Sequence, residues 1–257
     1  MRKISQRREP SVMNNHQEAD RNTNKNRKQQ FFRFFIAFVG VSCLATGVFL
    51  LARRPYIEKK RVEKAMDIVE SIQVGSVVVK VKTDDFEVEG EAYEDVYEVV
   101  DEYGEPIDFE HELFSLPDEV ELRAVGTIGI ESIDCLLPLW DEASVVSLRY
   151  GAGILNKELS APGQDGNLVI LGHRMKAYGS LFNRLGEMKL GDEIKIIVED
   201  GTSYIYVVDE ILEKLNPSEL PTVIEPDIDD GKRVTLVTCT PTGVGSHRLI
   251  VIGHLAE

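Results

Sequence analysis

The sequence is poor in cysteine. Three cysteines occur among its 257 residues, and Cys43 lies inside a long apolar run, so only Cys135 and Cys239 belong to the rest of the chain. Two scattered cysteines do not form the disulfide framework that stabilises small secreted domains. The sequence excludes that class of protein, and it leaves a single disulfide between Cys135 and Cys239 open.

Basic residues are scarce beyond residue 54. Residues 55–257 hold eighteen Lys and Arg against forty-one Asp and Glu, whereas residues 1–54 hold eleven against three. Proteins bind nucleic acids mainly through basic side chains that neutralise phosphates, and an acidic surface repels those phosphates. The charge balance therefore predicts that nucleic acid is not a partner.

Charge is absent altogether from residues 34–52, which read FFIAFVGVSCLATGVFLLA. At about 1.5 Å per helical residue, such a run is roughly 28 Å long and matches the ~30 Å hydrocarbon layer of a membrane. A cleaved secretory signal has a shorter apolar region and small residues at its cleavage site, but Arg53, Arg54 and Pro55 follow here. We expect an uncleaved transmembrane signal-anchor. Both flanks are basic, so the positive-inside rule gives no orientation.

Polar segments flank this span. Residues 1–33 have almost no apolar side chains before Phe31, which predicts a disordered tail. After the span, apolar residues recur at helical spacing over residues 57–73 and predict an amphipathic stalk helix. These residues are Val62, Met66, Val69 and Ile72.

Basic residues are missing again from residues 84–121, which contain seventeen Asp and Glu in thirty-eight positions. A segment of this charge repels itself, which predicts a solvated loop or a disordered face. The regular acidic spacing of a calcium-binding loop is absent, and this disfavours a calcium site. We therefore assign residues 53–122 to the stalk and this acidic segment, and residues 123–257 to the catalytic-sized folded domain.

The folded domain is predicted to be mostly β. Beyond Arg123, short apolar runs alternate with Gly, Pro, Asn and Asp, and Asp200-Gly201 has the character of a hairpin turn. Helical patterns fit only residues 181–188 and 217–220, which favours a barrel or sandwich with short helices. The predicted strands are 124–133, 167–171, 192–199, 203–213, 233–239 and 248–254.

The last two predicted strands carry residues that suit acyl-transfer chemistry. Cys239 ends one apolar strand and Arg248 opens the next, so the two face each other if the strands are neighbours. A cysteine at a strand end is held rigidly and still reaches solvent, as a nucleophile requires. A nearby guanidinium favours the thiolate or binds the oxyanion that forms. Thr238 and Thr240 flank the cysteine and offer hydroxyl or backbone N–H groups to that oxyanion.

A thiol nucleophile normally works with a histidine. Of five histidines, His173 is the best placed, because it follows the strongly apolar strand 167–171. His247 precedes Arg248, so its side chain points to the opposite face of its strand. A zinc site of Cys239, His173 and His247 is disfavoured, since ligand pairs at short spacing are missing. The residues alone leave catalytic and structural roles open, and we expect no metal and no cofactor.

Three motifs resemble the sortases of Gram-positive bacteria, a family of cysteine transpeptidases. They are Leu-Gly-His173-Arg, Thr-Leu-Val-Thr-Cys239 and, nine residues after the cysteine, Ser-His-Arg248-Leu. The similarity covers about residues 124–257, and the combined pattern is specific although each piece alone is not. Supporting matches are Ile128-Gly-Ile-Glu-Ser-Ile, Gly163-Gln-Asp-Gly-Asn167, Leu181-Phe-Asn-Arg-Leu and Lys189-Leu-Gly-Asp192.

The resemblance implies an eight-stranded sortase-type β-barrel, preceded by one transmembrane helix, that cleaves a sorting signal such as Leu-Pro-x-Thr-Gly between Thr and Gly. Cys239 would attack the threonine carbonyl, His173 would protonate the departing amine, and Arg248 would hold the carbonyl or the oxyanion. Water would give slow hydrolysis in place of transfer. Further substrate-binding residues would be Thr238, Thr240 and His247.

The implied partners are surface proteins or pilins that bear the sorting signal, and the acceptor amine of a peptidoglycan precursor or a pilin lysine. Because sortase substrates are exported, the resemblance favours a cell-membrane protein with a cytoplasmic N-terminus and an extracellular catalytic domain. The resting protonation of the Cys and His pair stays open.

The Cys and Arg motifs are closest to the class C, pilin-polymerising sortases. Class C enzymes commonly have an N-terminal lid with an Asp-Pro-aromatic motif and a second membrane span after the barrel. This sequence offers only Leu116-Pro-Asp118 for a lid and ends at Glu257. Two other functions stay open, namely a non-catalytic acidic surface module that binds a cationic partner or calcium, and a thiol hydrolase of other specificity.

Overall fold

The computed structural model describes residues 13–73, 78–82, 117–155, 160–176, 179, 181–225 and 231–256. The chain divides into two units, Met1–Tyr56 and Ile57–Glu257, and helix α1 (Met13–Gln73) runs through the boundary between them. Most of the acidic segment 84–121 lies outside the described residues. The same holds for Leu116 of the segment considered as a lid.

The first unit contains the apolar stretch Phe31–Ala52 of helix α1, which is long and apolar enough to cross a membrane. This stretch fits a membrane anchor or a signal sequence and agrees with the span predicted for residues 34–52. The structure differs from the predicted disordered tail, because residues 13–33 are helical. That segment has no Pro or Gly and is rich in Gln, Lys, Arg and Asn. Several of these are good helix formers, so a helix nucleated in the apolar stretch can extend backwards.

The last turns of α1 belong to the second unit and pack through one face. Ile68 and Ile72 are buried in a cluster with residues of the neighbouring strands, among them Trp140. The sequence predicted this amphipathic helix, but it predicted the buried face only in part. Val62 and Met66, two apolar residues of the predicted pattern, are exposed. The last turns of α1 therefore pack against the strands of the second unit.

The second unit is a closed β-barrel of eight strands. Around the barrel the order is β2-β3-β4-β5-β8-β9-β7-β6, and β6 pairs back onto β2, while β1 adds to the edge of β2. The pairs β3–β4 and β5–β8 are parallel, and the other pairs are antiparallel. The strands are β1 (Val78–Lys82), β2 (Glu119–Ile130), β3 (Cys135–Trp140), β4 (Ala152–Ile154), β5 (Gly166–Leu171), β6 (Glu193–Val198), β7 (Ser203–Leu215), β8 (Lys232–Thr240) and β9 (His247–Leu255).

Helical structure in the barrel domain is short. Among the residues that the structure describes, it consists of helix α2 (Leu220–Ile224) and the 3-10 turns Glu131–Ile133, Ser147–Arg149, Leu185–Glu187 and Pro217–Glu219. The structure thus confirms a mostly β, eight-stranded barrel with short helices and one apolar N-terminal helix. The helix predicted for residues 181–188 reduces to one 3-10 turn, because Phe182 and Leu185 reach into the barrel core from an irregular segment.

Each strand of the barrel has an inner and an outer face, since successive side chains alternate. In β8, Val234 and Leu236 belong to the inner cluster that all eight strands share. Val237 of β8 and Ile250 of β9 belong to a separate outer cluster, which helix α2 covers through Leu220. This assignment of faces decides where the side chains at the strand ends lie.

Candidate active site

Strands β5 and β8 end, and strand β9 begins, at the same level of the barrel. In the antiparallel pair of β8 and β9, Cys239 lies directly opposite Arg248. In the parallel pair of β5 and β8, Leu171 is aligned with Val237, and the backbone N–H of Gly172 donates to the Val237 carbonyl at 3.1 Å. The ladder therefore continues one residue past the end of β5. The next residue, His173, follows at the level of Cys239.

The same three residues lie on the outer face of the barrel. Cys239 is two residues beyond Val237, and Arg248 is two residues before Ile250, and both of these apolar residues belong to the outer cluster. Because side chains alternate, Cys239 and Arg248 share that face. His173 follows Leu171 of the same cluster by two residues, so continued alternation places it there as well.

The guanidinium of Arg248 is buried and held by the loop between β8 and β9. Arg248 is 3% exposed, and its Nη1 donates to the carbonyls of Gly245 at 2.9 Å and His247 at 3.2 Å. Gly245 adopts a positive φ of 65°, and a Cβ added there would lie 3.9 Å from the Cys239 Sγ. The loop thus folds back over the thiol and fixes the guanidinium opposite it.

Cys239 forms no disulfide and is half-buried, as is suitable for a group that must meet both protein and solvent. Cys135 forms none either, so the disulfide that the sequence left open is not formed. Burial raises the pKa of the Cys135 thiol to about 12, with a smaller opposing effect from the charge of Arg184. Of the two cysteines in the barrel domain, Cys239 alone combines exposure with a cationic neighbour.

The flanking threonines face the inner side of the barrel and bind protein groups. The Thr238 hydroxyl is buried and donates to the Gly172 carbonyl at 2.6 Å, which ties β8 to the residue before His173. The Thr240 hydroxyl accepts a hydrogen bond from Arg174 Nη1 at 2.8 Å. The structure thus brings both threonines to the site and gives each hydroxyl a protein partner.

His247 lies across the strand pair from Thr240 and is half-buried. Its Nδ1 is 2.9 Å from the Ser246 hydroxyl. As the sequence predicted, it precedes the inward-pointing Leu249 by two residues and so lies on the face opposite to Arg248.

Sequence reasoning missed Arg174 as a member of the site. Its half-buried guanidinium reaches the strand that carries Cys239, and burial lowers its pKa, while the negative charge of Cys239 acts in the opposite direction. The signal available in the sequence was an arginine directly after His173, which alternation turns to the other face. Only the register of β5 with β8 shows what that face contacts.

No group of three or more His, Cys, Asp or Glu that could hold a metal occurs among the residues that the structure describes.

The family model for the sortase domain matches residues 128–256, which is half of the chain. The chain belongs to the sortase family. The matched region contains the whole strand-end site. Family membership confirms the resemblance that the motifs around His173, Cys239 and Arg248 indicated.

Individual relatives are about 30% identical to this sortase over the aligned residues. Sortase A of Streptococcus agalactiae is 29% identical over 140 residues, which cover 53% of this chain and 54% of the relative. Sortase SrtE1 of Streptomyces coelicolor is 31% identical over 98 residues, which cover 36% of this chain and 27% of the relative. The chain thus spans about half of the first relative and about a quarter of the second. The crystal structure of sortase C1 from Streptococcus agalactiae is 34% identical, with a TM-score of 0.47, over 52% of this chain and 68% of that one.

Proposed function

We propose that this sortase is a cysteine transpeptidase whose reactive centre consists of Cys239, His173 and Arg248. The observation that carries the proposal is the pairing of Cys239 with Arg248 across the ends of β8 and β9, with β5 delivering His173 at the same level. A thiol, an imidazole and a fixed guanidinium are the parts that acyl transfer to and from sulfur requires.

In the first half of the proposed reaction, the Cys239 sulfur attacks a peptide carbonyl of the substrate. A carbon–sulfur bond forms, and the carbonyl oxygen becomes an oxyanion beside Arg248, whose charge does not depend on pH in the working range. The carbon–nitrogen bond then breaks, and His173 gives a proton to the departing amine. The product is a thioacyl-enzyme in which the substrate is bound to Cys239.

In the second half, an acceptor amine attacks the thioester carbonyl. A new amide bond forms, the amine gives up a proton to His173, and the carbon–sulfur bond breaks to restore the thiolate. Water in place of the amine gives hydrolysis, so the same centre would act as a cysteine endopeptidase when no acceptor is bound. The balance between the two outcomes depends on how well the site excludes water.

The proposed substrate is a sorting signal of the Leu-Pro-x-Thr-Gly type on a surface protein or pilin. The outer face beside Cys239 rests on a buried apolar cluster that includes Leu171, Val237 and Ile250, and helix α2 packs over this cluster. The proposed acceptor is a primary amine, either of a peptidoglycan precursor or of a pilin lysine.

The test uses the full chain in detergent with a panel of quenched Leu-Pro-x-Thr-Gly peptides and, as separate arms, a glycine peptide and a lysine peptide as acceptors. We expect cleavage that produces a ligated peptide and vanishes in Cys239→Ala. Cys43→Ser is the matched control, because Cys43 is an exposed residue of helix α1, and it should keep full activity. Equal cleavage by Cys239→Ala would refute the proposal. Cleavage without ligation to either amine would indicate a thiol hydrolase.

The apolar stretch of α1 supports a further part of the proposal, in which residues 34–52 anchor the enzyme with its N-terminus in the cytoplasm. Protease added to protoplasts should then digest the barrel domain and spare a tag at the N-terminus. Protection of the barrel domain until the membrane is lysed would reverse the proposed orientation.

A further inference from the structure

Arg174 lies on the inner side of the barrel, at the end of the strand that carries Cys239. Its Nη1 donates to the inward-facing hydroxyl of Thr240 at 2.8 Å, and its Nε donates to the Asn183 carbonyl at 3.3 Å. Gly186 makes room for it, since a Cβ there would lie 2.7 Å from Nη2 and 3.6 Å from Leu249 of the inner cluster. The guanidinium is thus clamped at the inner side of the strand end.

The charge of Arg174 has an unusual environment. Among the residues that the structure describes, Arg174 forms no ion pair with a carboxylate, although its guanidinium is half-buried. A partly desolvated cation is costly unless an anion compensates it. Burial has the larger effect on the Arg174 pKa and lowers it, and the negative charge that Cys239 would carry as a thiolate acts in the opposite direction.

The described charged groups near the thiol come from two segments. Arg248 lies opposite the thiol on β9. His173, Arg174 and Lys176 all follow β5: His173 lies beside the thiol, Arg174 bonds Thr240 from the inner face, and Lys176 packs against Gly243 in the loop that follows Cys239. Three of these four groups carry a permanent positive charge, and Arg174 is bonded to the residue next to the thiol.

We propose that Arg174 is a second cationic positioning residue of this sortase, which holds the end of β8 through Thr240 and favours the thiolate of Cys239 from the inner face. Arg248 would then bind the oxyanion on the outer face, while Arg174 favours the thiolate of Cys239 from the inner face. The assignment rests on the proposed role of Cys239 as the nucleophile. It separates two tasks, thiolate formation and oxyanion binding, between two arginines.

The test measures the pH profile of Cys239 alkylation by iodoacetamide, which requires no substrate. The full chain is used in detergent with Cys43→Ser as background, and the residual signal of Cys239→Ala is subtracted. Arg174→Gln should alkylate about three- to tenfold more slowly at pH 7 and shift its profile to higher pH, because a nearby cation favours the thiolate. Arg174→Lys keeps the charge and should restore much of the rate.

Arg184→Gln is the matched control. Arg184 lies in the segment after Arg174, is similarly sheltered, and pairs with Asp134 and Glu187 away from the thiol. Its loss should lower thermal stability without moving the alkylation profile. A merely structural role of Arg174 would give the same result for Arg174→Gln as for this control, and that outcome would overturn the proposal.

Thr240→Val keeps the test decisive if Arg174→Gln does not fold. Valine has the shape of threonine and suits a strand, but it removes the acceptor that holds Nη1. We expect alkylation at pH 7 to slow by about twofold or more, with a shift in the same direction, because the guanidinium is no longer held at the strand end. An unchanged profile overturns the proposal. If the alkylation profile shifts but the protein cleaves no sorting peptide, the result supports the proposed role of Arg174. It then counts only against the proposed function.

Discussion

Cys239 and Arg248 are directly opposed across the antiparallel ends of β8 and β9. Directly opposed residues of such a pair place their Cβ atoms about 5 Å apart on one face of the sheet. Strand register therefore determines the separation of the two Cβ atoms from which the thiol and the guanidinium extend. The carbonyls of Gly245 in the connecting loop and of His247 at the start of β9 additionally fix the guanidinium.

Replacement of Arg248 by lysine should lower turnover by on the order of 10², as does the loss of one oxyanion donor. Lysine keeps the charge but lacks the planar fork that reaches two carbonyls and an oxyanion together. The measurement is kcat and KM for a cleaved sorting peptide. Arg233→Lys at the other end of β8 is the matched control and should leave kcat unchanged. Normal turnover of Arg248→Lys would make this arginine a structural residue.

The hydrogen bond from Thr238 to Gly172 couples the strand of the thiol to the strand of His173. Thr238→Val should cost about 1 kcal/mol of unfolding free energy, because a buried carbonyl loses its donor. It should also lower kcat, because β5 and β8 can then shift relative to each other at the centre. Chemical denaturation and peptide cleavage measure the two effects.

Thr235→Val provides the comparison for Thr238→Val. The Thr235 hydroxyl donates to Asn167 Oδ1 at 2.7 Å between the same two strands. Thr235 lies four residues before Cys239 and therefore away from the thiol. It should lose similar stability and keep its kcat. Equal losses of kcat in both variants would show that general stability, and not the local coupling, governs turnover.

Gly172 is the residue whose missing side chain lets His173 take its place. An added Cβ would lie 2.7 Å from Phe182 Cε2 and closer still to Cδ2, and that ring is fully buried. Gly172→Ala should cost about 1–3 kcal/mol of stability through overpacking and should displace His173. In Gly129→Ala the nearest contact would be 3.7 Å, to Leu136, so this control should change stability little. Wild-type activity in Gly172→Ala would contradict the placement of His173 by close packing.

The short connection between β8 and β9 explains why the Cys239 and Arg248 pair was predictable from the residues. Eight residues separate them, and Pro and Gly between two apolar runs indicate neighbouring antiparallel strands. The place of His173 was not predictable in that way. It depends on a parallel pairing of β5 with β8 across 66 residues. The apolar strand before His173 made it the best candidate partner of Cys239, and the family resemblance supported that choice.

Other features of the structure could not be predicted from the sequence, for local reasons. Strand β3 contains Pro138, which argues against a strand within a sequence pattern, and β4 has only three residues. The sequence showed Arg174 directly after His173 but not what it contacts, because its partners Thr240 and Asn183 are defined by the folded barrel and by no spacing in the sequence.

The buried Cys135 predicts a specific alkaline dependence of stability. Its pKa of about 12 in the folded protein exceeds the ordinary value of 9.0, so the folded state holds this proton more tightly. The stabilisation is complete below pH 9 and is lost as pH rises toward 12. Between pH 8 and 10, Cys135→Ala should therefore lose about 1 kcal/mol less unfolding free energy than the parent. Parallel pH curves for the two proteins would mean that the Cys135 thiol titrates normally.

The most direct test of the proposed function is mass spectrometry of the enzyme trapped during turnover of a cleaved sorting peptide. An acid quench should reveal the intact chain with the added mass of the acyl fragment up to the threonine, and peptide mapping should locate that mass on Cys239. The adduct should disappear when an acceptor amine is added before the quench. An adduct on another residue, or peptide cleavage without any adduct when no acceptor amine is present, would contradict the thioacyl mechanism.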